Sequence, residues 1–268
     1  MERCRVRNIA NAFSLIELLA VTAIIALMIG LMGPALTGIK DSTDLVKAAY
    51  DIAGTLDQAR SYAMANNTFV FVGIGEFDAS KDSSAAQQIP GTGRVAIAVV
   101  ASKDGLRGYN IANGTLPNPA WSSYNNGAGL VAISRLQRFE NLHLAQPGSL
   151  NGFRVSADAN GLVNTGKMTR PAITSNYYVL AKGATVTPFA WPLGKAMGGG
   201  QYNFTTVINF DPQGAARIQF STNSDTIGRY MEIGLVPTRG NIAPSTLPAN
   251  VAAIQINGMT GATRIYRP

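Results

Sequence analysis

The residues able to do chemistry are few. His143 is the only histidine among 268 residues. Neither a Ser-His-Asp triad nor a two-histidine metal site can be built from one copy of the chain. It lies in Leu142-His143-Leu144, an apolar patch where a histidine is usually structural. Cys4 is the only cysteine, which excludes an intrachain disulfide and a cysteine-based metal site. No G-x-S-x-G and no Walker loop occur. Gly198-Gly199-Gly200 is not followed by Lys-Ser/Thr and reads as a loop. Asp41 and Asp44 are solvated carboxylates on a helix face. These observations predict no enzyme, no cofactor and no metal.

Glu17 is different. It is the only charge in Phe13–Leu36 (FSLIELLAVTAIIALMIGLMGPAL). A run of 18 or more apolar residues is long enough to span a bilayer as a helix. Arg3, Arg5 and Arg7 precede it, which predicts a cytoplasmic N-terminus. A carboxylate within such a span costs roughly 3 kcal/mol and needs a partner or a task. No basic residue lies within a helical turn or two. Cutting between Ala12 and Phe13 would supply one, a free amine with a pKa of about 7.7–8.0. The Glu17 of a staggered neighbouring copy could neutralise that amine and so set the register between subunits.

Ala12-Phe13-Ser14-Leu15-Ile16-Glu17-Leu18-Leu19, behind a short basic leader, resembles the cleavage and N-methylation motif of type IV pilins and type II secretion pseudopilins. The resemblance implies a prepilin peptidase that removes Met1–Ala12 and methylates the Phe13 amine. It also implies sibling pilin or pseudopilin subunits as partners and residence in a bacterial inner membrane, with the C-terminal domain periplasmic or extracellular. Ala12 departs from the usual glycine before the cut. Pro34 falls where that family carries a helix-breaking proline. The plainer alternative is an uncleaved signal anchor carrying a stray glutamate.

The elements behind these residues read as follows. Leu45, Ala49, Ile52, Leu56, Ala59 and Ala63 step by three and four and draw one apolar stripe, so Lys40 to about Asn66 continues the helix. Phe13–Asn66 as one helix would be about 80 Å long at 1.5 Å per residue. Gly33 and Pro34 are its expected break. Strands are expected at Thr68–Gly75, Arg94–Ala101, Leu130–Ser134, Asn141–Leu144, Phe153–Ser156, Asn176–Ala181, Phe204–Phe210, Ala216–Ser221, Tyr230–Val236, Val251–Ile256 and Thr263–Tyr266. Phe77–Gly93, Leu106–Gly129 and Val186–Gly200 read as loops.

The expected fold class is therefore α+β: a long N-terminal helix, its first half membrane-spanning, packed on an antiparallel β-sheet domain in the pilin manner. The expected parts are a leader at 1–12, a transmembrane and assembly helix at 13–36, its amphipathic continuation at 37–66 and a β-rich extracytoplasmic domain at 67–268. Leu56-Asp57-Gln58-Ala59-Arg60, the strand and turn Ile208–Gly214, and the closing strands resemble the pseudopilin H and minor pilin T branch. The chain end, Ile254-Gln255-Ile256 to Arg267-Pro268, is also similar to the pilin-like cassette protein D of Verrucomicrobia-type bacteria.

The net charge is +7, and loss of the leader would lower it by two. Arg217, Arg229, Arg264 and Arg267 fall late in the chain with Tyr230 and Tyr266. As a stripe they could hold the phosphates of DNA and stack its bases; dispersed solubilising charge is the favoured account.

Overall fold

The computed structural model describes residues 14–105, 129–145, 162–164, 169–171, 189–195, 199–204, 206–218, 227–246 and 248–268, with backbone alone at 31–42, 162–164 and 169. The expected strands Phe153–Ser156 and Asn176–Ala181 lie outside the described residues, as do Ala12 and Phe13.

One helix, α1 (Leu15–Ala65), opens the described chain. It passes from one compact unit, Met1–Thr43, into a second, Asp44–Pro268. In the first unit the apolar side chains described, from Leu15 to Ile29, face solvent. In the second, Leu45, Ala48, Ala49, Ile52, Ala53, Leu56, Ala59 and Ala63 are buried, because spacings of three and four keep them on one side of a 3.6-residue turn. The helix stops where two asparagines follow it. Asn67 takes a left-handed φ of 47°, and the Thr68 N–H reaches back to the Ala63 carbonyl at 3.1 Å. That six-to-one bond closes a Schellman cap, and asparagine tolerates the conformation.

Strands follow in the order β1 (Val70–Asp78), β2 (Gly93–Ser102), β3 (Leu130–Ala132), β4 (Gln137–Ala145), β5 (Leu162–Asn164), β6 (Thr169–Pro171), β7 (Phe189–Trp191), β8 (Tyr202–Phe204), β9 (Thr206–Phe210), β10 (Ala216–Ile218), β11 (Tyr230–Pro237), β12 (Ala252–Asn257) and β13 (Thr263–Tyr266). Nine of them form one sheet, β10-β9-β1-β2-β4-β11-β12-β13, with β3 added on β2. Every pairing is antiparallel. The sheet curls about the helix. A single buried cluster joins α1 side chains to Val70, Val72, Ile74, Val95, Ile97, Leu144, Ile208, Ile218, Ile233 and Ile254, one face of each strand taken at period two. Far apart along the strand order, β10 and the β12–β13 turn nevertheless meet: the Ala216 N–H donates to the Gly258 carbonyl at 2.8 Å.

The outer face of β1 and β2 is covered by the β7–β8 hairpin. Phe71, Phe77, Ala98, Phe189, Tyr202, Phe204 and Val207 form a second buried cluster. Phe77 meets Tyr202 edge-on at 5.0 Å, a favoured aromatic geometry. This cover explains why β2 is apolar from Val95 to Ala101: both of its faces are buried. At Asn141, φ 55°, β4 carries one extra residue, which shifts its register against β2 between Gly93 and Arg94. The bulge re-aims the strand, and residues 142–145 pair with β11.

Two expectations need correcting. The expected layout, a long helix with a membrane-spanning first half packed on a sheet, does not hold. The fold is chiefly one large antiparallel sheet wrapped round the buried stripe at 45–63, while residues before Asp44 belong to the other unit. Among the described residues no helix is long and apolar enough to cross a membrane. The second correction concerns Val186–Gly200, which holds β7 rather than loop alone; its three residues are too few for periodicity to show.

Candidate assembly surface

Ser14 and Glu17 close the N-terminal end of α1 reciprocally. The Ser14 N–H and hydroxyl both donate to Glu17 Oε2 at 3.0 Å, and the Glu17 N–H donates to Ser14 Oγ at 3.3 Å. This is a capping box: the hydroxyl satisfies one orphan helical N–H, and the acid three residues on satisfies the N–H of the cap itself. Its signature, S-x-x-E ahead of an apolar run, stands in the sequence at 14–17. The Glu17 carboxylate thus has local partners within the monomer.

Beyond the cap the helix is bare. Leu15 is 83 % exposed, Ile16 76 %, Leu27 66 % and Ile29 65 %, and Leu18, Leu19, Val21, Ile24, Ile25 and Met28 are all at least half exposed. They are distributed around the helix, so this is no amphipathic stripe, and a helix apolar on all sides is one that other elements surround. Scattered exposed apolar residues are ordinary, whereas a contiguous apolar patch marks an interaction surface. Among the described residues nothing apolar covers this helix, so burial of that surface points to other molecules. Gly33 and Pro34 lie inside α1, whose helical assignment runs through both.

The arginine stripe is divided. Arg217 on β10 reaches the Asp211 carboxylate at 3.2 Å, and that carboxylate also accepts from the Gln213 and Ala215 N–H groups, at 3.0 and 2.9 Å. Arg217 therefore braces the β9–β10 turn. Arg229 precedes β11, where it lies over the Tyr230 ring, 5.6 Å from its centroid; Arg264 is on β13 and Arg267 follows it.

His143 has a structural explanation. Its Nδ1 lies 2.8 and 3.0 Å from the two Glu76 carboxylate oxygens. Glu76 also accepts from the Gly93 and Leu144 N–H groups, so the pair ties β1, β2 and β4 together. Among the described residues no group of histidine, cysteine or carboxylate side chains could hold a metal.

No family model, no curated protein and no solved structure matches this chain.

The sequence reading overlooked a buried polar cluster on the outer face of β11 and β12. Arg170 donates to Glu232 through Nε and Nη2, both at 2.6 Å, and Gln255 Nε2 donates to Glu232 Oε2 at 2.8 Å. Both charged side chains are essentially buried, at 1 % and 0 % exposure. The available signal was Glu232 and Gln255 alternating with apolar residues in otherwise apolar strands, polar groups that burial obliges to find partners.

Proposed function

We propose that this chain is a structural subunit of a type IV pilus-like or type II secretion-like filament, built by burying its N-terminal helix among those of sibling subunits. The observation that carries the reading is the bare apolar helix from Leu15 to Ile29, headed by a single acid. The motif at 12–19 supports the processing step: a prepilin peptidase cuts between Ala12 and Phe13 and methylates the Phe13 amine. The same apolar run and the arginines ahead of it support residence at a bacterial inner membrane before assembly. The role is structural rather than catalytic. The rival is a signal-anchored β-rich module that never polymerises and binds DNA or another anion through Arg229, Arg264 and Arg267; the exposure of all three favours it.

Two substitutions separate the readings. Glutamine serves at the third position of a capping box as glutamate does, so Glu17→Gln keeps the cap and removes the charge, while Glu17→Ala removes both. In filaments sheared from cells and quantified by mass spectrometry, Glu17→Gln should lower incorporation about tenfold or more at unchanged cellular abundance. Incorporation of Glu17→Gln at the wild-type level, or no filament containing the chain, overturns the proposal.

A further inference from the structure

The outer face of β11, β12 and β13 holds a cleft that assembly leaves unused. In register, Tyr230 stands beside Asn257, Glu232 beside Gln255, Gln255 beside Arg264 and Ala253 beside Tyr266. Strand alternation places all of these on the face away from α1. Of these, Tyr230, Gln255, Asn257, Arg264 and Tyr266 border a cleft of about 310 Å³, which Pro171 of β6, Thr260 and Thr263 also line.

Gln255 lines this cleft and is 2 % exposed. Its Nε2 donates to Glu232 Oε2 at 2.8 Å and to the Pro171 carbonyl at 2.9 Å. Two acceptors on one side fix the amide: turned over, its oxygen would face a carboxylate. Oε1 is then a buried acceptor with no donor among the described residues. An acceptor left dry at such a position is costly, so it calls for a donor from outside. Arg264, on the rim, is exposed. The nearby carboxylate of Glu232 is already held by Arg170 through both its oxygens, so Arg264 is left to meet an anion from solution. Arg229 covers one face of the Tyr230 ring, which removes that face as a platform for a flat base. The site thus offers an acceptor in its floor, a cation and several hydroxyls on its rim, and the size of one sugar ring.

We propose that this cleft binds a uronic acid residue of an acidic polysaccharide. A ring hydroxyl donates to Gln255 Oε1, the carboxylate meets Arg264, and the remaining hydroxyls meet Tyr230, Tyr266 and Thr260. The inference stands whether or not the chain forms filaments.

Isothermal titration of the full chain in mild detergent tests it, with galacturonate, trigalacturonate, galactose and inorganic phosphate as probes. Saturable binding of galacturonate, tighter binding of the trimer and none of galactose at the same millimolar concentrations are expected. Arg264→Gln, at an exposed position, should weaken both acids about tenfold with an unchanged melting temperature, a loss typical of a charge-assisted contact. Gln255→Leu should do likewise. If it unfolds the protein, Tyr266→Ala takes its place. Phosphate binding as tightly as galacturonate would mean an adventitious anion only and overturn the proposal. So would galactose binding equally, no binding of either acid, or indifference to Arg264→Gln. Equal affinity for monomer and trimer would overturn the polymeric source.

Discussion

Two clusters show how much a single polar side chain decides in this fold. The Arg170–Glu232 pair is bidentate and dry, and removing one partner leaves the other charge buried and uncompensated, at a cost of about 3–5 kcal/mol. Arg170→Met and Glu232→Leu should each lower stability by that order in chemical denaturation. The double variant should lose less than either, because no lone charge remains, and a double variant as unstable as the sum of the two would count against this account. Asp82 acts on a smaller scale. Its carboxylate accepts from the Ser84 N–H at 2.8 Å and from the Ser84 hydroxyl at 2.9 Å. These bonds, the backbone one first, hold its pKa below the ordinary aspartate range. A folded value below the unfolded one of about 3.9 gives stability that is fully present above that pH and is lost as pH falls through the folded value. Acid titration of the 79–92 loop, followed by amide exchange, should therefore show opening below about pH 4, and Asp82→Ala should flatten that response.

Among the elements, two glycines make opposite cases. A Cβ on Gly73 in β1 would come within 2.6 Å of Phe189 Cζ and 2.7 Å of Phe204 Cγ, whereas one on Gly54 in α1 would meet nothing within 4 Å. Gly73→Ala must push the β7–β8 hairpin off the sheet, at about 1–3 kcal/mol. Gly54→Ala should stabilise by about 1 kcal/mol through helix propensity. Thermal melts that move both variants in the same direction would refute the assignment of β7 and β8 as the outer cover. How far these elements could be read from the residues depends on how local their cause is. The stripe at 45–63 and the strands Thr68–Gly75, Arg94–Ala101, Tyr230–Val236 and Thr263–Tyr266 rest on periodicity within a few residues, and the observed strands overlap them closely. The turn after Phe210 rests on Asp211 and Gly214, whose types suit it. The three-residue strand β7 and the bulge at Asn141 answer to partners remote in sequence and left no local mark. The apolar run at 13–36 was legible as a run, but its membrane-spanning role was an inference from length. Of the assembly surface, the acid and the apolar residues were visible, yet the S-x-x-E cap beside them went unread. The cleft brings together residues from four strands, three of which only the register unites.

For the molecule as a whole, the chief fact is an apolar helix that no described residue covers. Charges placed on it should act on association and leave the sheet domain unchanged. Ile16→Lys and Ile25→Lys together should move the full chain toward smaller species in sedimentation velocity at low detergent. Near-ultraviolet circular dichroism, which reports on aromatics such as Phe77 and Tyr202 within the sheet, should stay the same. Unaltered sedimentation would show that this surface does not drive self-association.

The sheet also imposes an order on folding. The Thr263 hydroxyl donates to Asp57 Oδ1 across 206 positions of sequence, at 2.7 Å. The helical stripe at 45–63 can form within its own neighbourhood, but its enclosure waits on β11, β12 and β13. Pairings this remote are slow because the intervening chain must first be brought round. During that delay the stripe lies open, and the newborn polypeptide depends on chaperones to keep it from its neighbours.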